Sequence, residues 1–338
     1  MKATIYEGNK TFSVIHKEVE APAKGEVRIK VAYSGVCGTD VHIYHGMMDK
    51  RVSIPVTIGH EMSGTIDAIG EGVSGFAIGE KIVVRPLDDR GVKPSDKGFN
   101  HICEDLKFIG IDSPGSMQQY WNVPSFVLHK LRPETDLKLA ALIEPLSVAV
   151  HDVRRGELKA GETAVVLGGG PIGLLVAMVA KETGANVIVS EVNEKRIKKA
   201  NELGLNAVNP TKIDLVKYVI EQTEGRRADV VFEVAGVQPA LDVMCEVAGI
   251  RGRIVMVAIH GQKKEIDLFK FFWKELKLIG ARVYEKEDYE KAIALITANE
   301  LPFEEMITDV QPLSNIQQVF ENIDKNPDGM KVLMDCQS

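Results

Sequence analysis

The stretch "VVLGGGPIGLL" constrains this chain more than any other: an apolar run, Val165 to Leu167, leads straight into Gly168, Gly170 and Gly173. Ile172, Leu175, Val176 and Val179 then fall at i, i+3, i+4 and i+7, one stripe of a helix packing on a sheet. A strand that turns through G-x-G-x-x-G into a helix uses glycine for the tight turn and for close backbone approach. The helix start presents unpaired N–H groups to an anion. Gly168, Gly170 and Gly173, with Ile172 beside them, are therefore expected to hold the pyrophosphate of a dinucleotide.

The alternation continues through "NVIVSE" (strand), "NEKRIKKANELG" (helix), "ADVVFEVAG" (strand), "PALDVMCEVAG" (helix) and "GRIVMVAIHG" (strand). Strand and helix in this order predict a doubly wound parallel sheet, an α/β domain over residues 148–280. The second strand ends on Glu191, about twenty residues after the first glycine. A carboxylate there accepts ribose hydroxyls and repels a 2′-phosphate, which favours NAD over NADP. Lys195 and Arg196 follow in the same loop; Arg196 is counted with the cofactor site and is where a 2′-phosphate could still be neutralised.

Residues 1–147 read differently. "GEVRIKVAYSG" alternates Val27, Ile29 and Val31 against Glu26, Arg28 and Lys30, giving one buried and one wet face. Short strands and glycine turns continue through "GHEMSGTIDAIGEGVSGFAIGEKIVV", which predicts a compact β-rich domain. After residue 280 a helix, "KEDYEKAIALITANE", and a β-like tail close the chain, and residues 281–338 are expected to complete the first domain. A length of 338 residues suits two such domains.

The formal net charge of −7 disfavours nucleic acid and anionic lipid as partners. No apolar run reaches the roughly 20 residues that span a bilayer. The start "MKATIYEGNK" has no signal-peptide pattern, and Cys37, Cys103, Cys245 and Cys336 form no disulfide framework. A reducing cytoplasm is the expected location.

"SGVCGTDVHIYHG" places Cys37, Thr39, Asp40, His42 and His45 close together, and "TIGHEMSG" adds His60 and Glu61. Thiolate, imidazole and carboxylate are the ligand types of catalytic zinc. Together with "LIEPLSVAVH", "VLGGGPIGLL" and "GARVYEKEDYEKAI", in this order over nearly the whole chain, these stretches resemble the zinc-dependent medium-chain dehydrogenase family. The similarity is greatest to the branch of sorbitol, other polyol, butanediol and threonine dehydrogenases. It implies a GroES-like β-rich catalytic domain beside a Rossmann domain, and a reversible NAD-linked oxidation of a secondary alcohol to a ketone in the cleft between them.

Residue by residue, the resemblance makes Cys37, His60 and Glu61 zinc ligands, with Glu144 a fourth or alternating ligand or else a cap before Pro145. Thr39 matches the hydroxyl that touches the substrate oxygen and His42 the outer end of a proton relay, while Asp40 is expected to orient His60 by accepting its free N–H. His45 is expected to be an exposed loop histidine and His151 to pack in its helix. Relatives with a second, structural zinc carry four closely spaced cysteines; "RPLDDRGVKPSDKGFNHICEDLKFIG" keeps only Cys103, so one catalytic zinc is expected and the lobe is expected to rest on ion pairs of Asp88, Asp89 and Arg90.

In the polyol branch an arginine and a tyrosine of a late strand hold substrate hydroxyls. Here Tyr284 is kept and Arg282 is displaced by one position, to the other face of that strand, which argues against sorbitol itself and leaves a shorter diol, a different polyol or a sugar acid as the substrate. A threonine-type dehydrogenase and a non-catalytic sensing protein on the same fold are the alternatives. The family implies a homodimer or homotetramer, with "GRIVMVAIHG" as the edge strand that continues the sheet across a two-fold axis.

Overall fold

The computed structural model describes residues 1–91, 93–326 and 328–338. The chain divides into two compact units, residues 1–144 with 289–338, and residues 145–288; the sequence put the junctions after 147 and 280.

The first unit holds strands β1 (Lys2–Gly8), β2 (Thr11–His16), β3 (Glu26–Gly35), β4 (Glu61–Ile69), β5 (Lys81–Val84), β6 (Leu87–Asp88), β7 (Lys107–Phe108), β8 (Tyr120–Pro124) and β9 (Leu128–Lys130). Helix α1 (Gly38–Tyr44) follows β3, and α2 (Leu137–Ala140) and α3 (Ile143–Arg155) lead into the second unit. Helix α9 (Lys286–Ala298), strand β16 (Ile307–Pro312), helix α10 (Ile316–Lys325) and strand β17 (Lys331–Asp335) close the chain.

A seven-stranded sheet runs in the order β16-β17-β3-β4-β5-β9, with β8 also pairing β3. The alternation read from "GEVRIKVAYSG" is present, with Val27, Ile29 and Val31 fully buried. The last strand, β17, pairs antiparallel with β3, Leu333 opposite Gly35, while β4 pairs on the other side of β3, Glu61 opposite Gly35. An early strand and the last strand of the chain thus flank the exit of β3.

The second unit alternates β10 (Thr163–Leu167), α4 (Pro171–Glu182), β11 (Asn186–Ser190), α5 (Glu194–Glu202), β12 (Asn206–Val208), α6 (Leu215–Gln222), β13 (Ala228–Glu233), α7 (Gln238–Val247), β14 (Ala248–Met256), α8 (Leu268–Lys274) and β15 (Lys277–Gly280). Its six strands are all parallel, in the order β12-β11-β10-β13-β14-β15. Strands wind outward in both directions from β10, which puts the switch point at its carboxyl end. Val165, Ile188, Val231 and Ile254 pack with Val219, Leu241 and Met244 in the core of this unit.

Two local expectations fail. "GRIVMVAIHG" supplies β14, an interior strand, and the edge is β15, paired to it from Arg253↔Lys277 onward. Strand β15 is short and mostly exposed, so it carries no buried apolar run for a sequence to display. "GARVYE" is not a strand beyond Gly280: Val283 takes φ 50°, which breaks the extended run, leaving Arg282 exposed and Tyr284 buried. Opposite-face reasoning therefore does not apply to that pair. Among the described residues no helix is long and apolar enough to cross a membrane.

Candidate functional site

Strand β3 ends at Gly35 and the chain passes through Val36 to Cys37, which starts α1. His60 and Glu61 enter β4 alongside. Cys37 Sγ, a ring nitrogen of His60 and a carboxylate oxygen of Glu61 all lie within 4.8 Å of one another. His60 and Glu61 are buried and Cys37 is half-buried.

The Glu61 carboxylate lies across Gly35, where a side chain would collide with Oε2. Beyond it stands Lys331 of β17, whose Nζ is 2.5 Å from Glu61 Oε2 and donates to the Val36 carbonyl at 2.9 Å. Only glycine on the middle strand allows this reach from β4 to β17. Glu61 Oε1, His60 Nδ1 and Asp40 Oδ1 are buried without a hydrogen-bond partner among the described residues, and Glu61 Oε2 meets only the Lys331 ammonium there.

These donors fit a metal. Thiolate, imidazole and carboxylate suit a three-ligand zinc centre, and buried polar atoms left unpaired cost free energy unless something else satisfies them. The electrostatics agree. Burial alone would lower the His60 pKa, but Asp40, Cys37 and Glu144 together hold it well above its ordinary value. Burial would likewise lower Lys331, and Glu61, Cys37 and Glu144 outweigh it. A field that draws protons onto two buried bases also favours a divalent cation.

Glu144, at the start of α3, is buried and acts electrostatically on His60 and Lys331. It stands outside the tight group of Cys37, His60 and Glu61. Asp40 Oδ1 is 3.6 Å from His60 Nδ1, too long for the expected hydrogen bond. Its other oxygen is committed to Cys37 N at 2.9 Å, and burial raises its pKa.

Thr39 and His42, three residues apart, share one face of α1. Both are partly exposed, as groups that exchange a proton with substrate and solvent must be. His45 is not a free loop histidine; it pairs with Asp324 at 2.8 Å. His151 is buried and bonded to Asp288 at 2.8 Å, with Arg154 donating to the same carboxylate. The guanidinium occupies the cationic place there, so the grouping of His151, Glu285 and Asp288 is an ion-pair network rather than a metal centre.

In the second unit β10 turns through Gly168 and Gly170 into α4. A side chain at Gly173 would collide with the Gly168 carbonyl, which explains the third glycine. Ile172 sits half-buried in the first turn of α4. Glu191 follows β11 and accepts from Gly169 N at 2.8 Å, Val192 N at 2.7 Å and Asn193 N at 2.8 Å. A carboxylate has about four lone-pair sites, so this leaves room for one ribose hydroxyl rather than two. Arg196 Nη1 is 3.8 Å from Glu191 Oε2 and borders Gly170.

A family model described as zinc-binding dehydrogenase matches residues 171–298, and one described as alcohol dehydrogenase GroES-like domain matches residues 23–133. The chain is 58% identical over 337 residues, 99% of each protein, to 2-dehydro-3-deoxy-L-galactonate 5-dehydrogenase of Pseudoalteromonas atlantica. The chain belongs to the zinc-dependent medium-chain alcohol dehydrogenases. It is also 33% identical over 342 residues, 99% of each protein, to a sorbitol dehydrogenase of Halalkalibacterium halodurans. The crystal structure of 2R,3R-butanediol dehydrogenase from Bacillus subtilis superposes with a TM-score of 0.90 at 31% identity, covering 99% of both chains.

As a dehydrogenase of the polyol and butanediol branch, the chain is a zinc-type, nicotinamide-dependent oxidoreductase acting on secondary alcohols. A threonine-type enzyme and a non-catalytic sensor are not favoured. In the lobe after β5, Arg85 makes a bidentate pair with Asp89 and Arg90 one with Asp88. Lys93 joins Glu104 and Asp105, and Asp96 accepts from two backbone N–H groups. Cys103 is buried, which pushes its thiol pKa up.

Sequence reasoning missed Lys331. Its tail "KVLMD" reads as an ordinary strand, and only pairing with β3 reveals where the ammonium goes. Breaking a buried ion pair by removing one partner costs about 3–5 kcal/mol. A bound zinc compensates the stranded carboxylate, so Lys331→Met is expected to lower the melting temperature of chelator-treated protein by much more than that of zinc-replete protein. Equal losses in differential scanning fluorimetry would contradict the pairing.

Proposed function

We propose that this chain catalyses the NAD-linked oxidation of the C5 hydroxyl of 2-dehydro-3-deoxy-L-galactonate or a close structural analogue. The observation that carries the substrate is the 58% identity over 99% of both chains to an enzyme of that name, against 33% to the sorbitol dehydrogenase.

Cys37, His60 and Glu61 hold a single catalytic zinc, and Glu144, whose charge acts on His60 from outside that group, is the candidate alternating ligand. When bound, the zinc polarises the substrate oxygen as a Lewis acid and the nicotinamide takes up the hydride. Thr39 Oγ1 would accept the substrate's hydroxyl proton while donating its own to the cofactor ribose, and His42 would take the proton at the outer end of that relay and release it to water. Asp40 fixes the turn that carries Cys37. Gly168, Gly170 and Gly173 let the start of α4 approach a pyrophosphate, with Ile172 beside it, and Glu191 accepts a ribose hydroxyl. Arg196 is engaged with Glu191, so the carboxylate rather than the guanidinium sets the preference for NAD over NADP. The lobe after β5 is held by ion pairs instead of a second zinc.

Initial rates of nicotinamide reduction across the sugar acid, sorbitol, a butanediol and threonine test the reading. The sugar acid is expected to exceed the others by at least about hundredfold in kcat/KM, because unpaired polar groups in the site penalise the wrong substrate. Comparable rates with sorbitol or threonine would contradict it.

The reading extends to assembly as a homo-oligomer. Leu268, Phe269, Phe272 and Trp273 of α8 are 64–77% exposed, next in sequence to the free edge strand β15. An exposed apolar patch and an open sheet edge are both features that proteins cover, and antiparallel pairing of β15 with that of a second copy covers both. Trp273→Glu is expected to shift the protein to monomer in sedimentation velocity; a wild-type monomer would contradict the assembly.

A further inference from the structure

A carboxylate–imidazole pair at the carboxyl ends of β13 and β14, its carboxylate buried and its imidazole partly exposed, belongs neither to the metal site nor to the glycine turn. Glu233, the last residue of β13, is fully buried. Its Oε1 accepts from Gly236 N at 2.8 Å, and its Oε2 is 3.1 Å from Nε2 of His260. A carboxylate oxygen only accepts, so Nε2 carries the proton and donates. The Glu233 carbonyl also accepts from Val257 N at 2.9 Å and Ala258 N at 3.0 Å. One residue therefore ties down both the loop that follows β13 and the loop that follows β14.

The position of these loops gives them a task. The 234–236 loop lies against the first glycine of the nucleotide turn: a Cβ built on Gly168 would meet Ala235 N at 3.0 Å. Glu191, on the adenosine side, follows β11, on one flank of β10; on the other, Glu233 ends β13 and His260 follows β14. A dinucleotide bound across the switch point places its two halves on these two flanks. The loop tips on the second flank expose the apolar side chains of Val237 (50%) and Ile259 (80%), which suits a flat heteroaromatic ring resting on them.

We propose that the Glu233–His260 pair positions the loops after β13 and β14 to receive the nicotinamide–ribose half of the cofactor. The inference rests on the dinucleotide reading of this unit. The two residues are positioning residues: they shape the backbone that meets the ligand and touch none of the reacting atoms.

Titrations of NADH and of ADP, which carries the adenosine half alone, into wild type, His260→Ala and His260→Gln separate this role from general support. His260→Ala is expected to weaken NADH binding about tenfold, the effect of losing one charge-assisted hydrogen bond, while ADP binds as in wild type. Glutamine Nε2 can still donate to Glu233, so His260→Gln is expected to recover most of the NADH affinity. Retained ADP binding also reports that the domain is folded. Equal weakening of both ligands, or no change for NADH, would overturn the inference while leaving the cofactor assignment intact. Failure of the wild type to bind NADH at all would overturn the dinucleotide reading itself.

Discussion

The ion pair between Glu61 and Lys331 is the contact on which the metal-binding arrangement depends. It spans three strands, from β4 across Gly35 of β3 to β17, and exists only because the chain returns to add its last strand to the first sheet. Without Lys331, the thiol of Cys37 and the carboxylates of Glu61 and Glu144 would lose the buried ammonium that balances their charge. With it, one carboxylate is held ready beside the thiol and imidazole. A buried pair of this kind adds little net stability; its value is to fix where the carboxylate points.

The second unit solves a related problem with backbone alone. Glycines at the β10–α4 turn expose N–H groups to an anion, and Glu191 is immobilised by three backbone donors, so its direction is set before any ligand arrives. Glu233 repeats the device on the opposite flank of β10. In each case a buried carboxylate at a strand's carboxyl end organises the loop that follows it, and preorganised loops lose less freedom on binding.

Much of this was legible in the sequence, for physical reasons that differ by residue. Gly168 takes a positive φ and a side chain at Gly173 would strike the Gly168 carbonyl, so these two positions demand glycine, and the stripe from Ile172 to Val179 marks α4 by periodicity. Cys37 and the His60–Glu61 pair were readable as ligand types, although nothing local says that two strand ends meet. Lys331 was invisible because its role is set by sheet order, which leaves no periodic trace. Strand β15 was missed because it is short and exposed, and "GARVYE" was misread as a strand because Val283 leaves extended backbone without a glycine or proline to announce it. The Asp40–His60 hydrogen bond was expected from proximity in type, but Asp40 spends one oxygen on the Cys37 backbone.

X-ray absorption at the zinc edge, on protein purified without added metal, tests the central claim most directly. The account predicts about one zinc per chain, bound by one sulfur at about 2.3 Å with nitrogen and oxygen ligands at about 2.0–2.2 Å, and loss of that sulfur shell in Cys37→Ser. A four-sulfur shell, or a sulfur shell that survives Cys37→Ser, would contradict it.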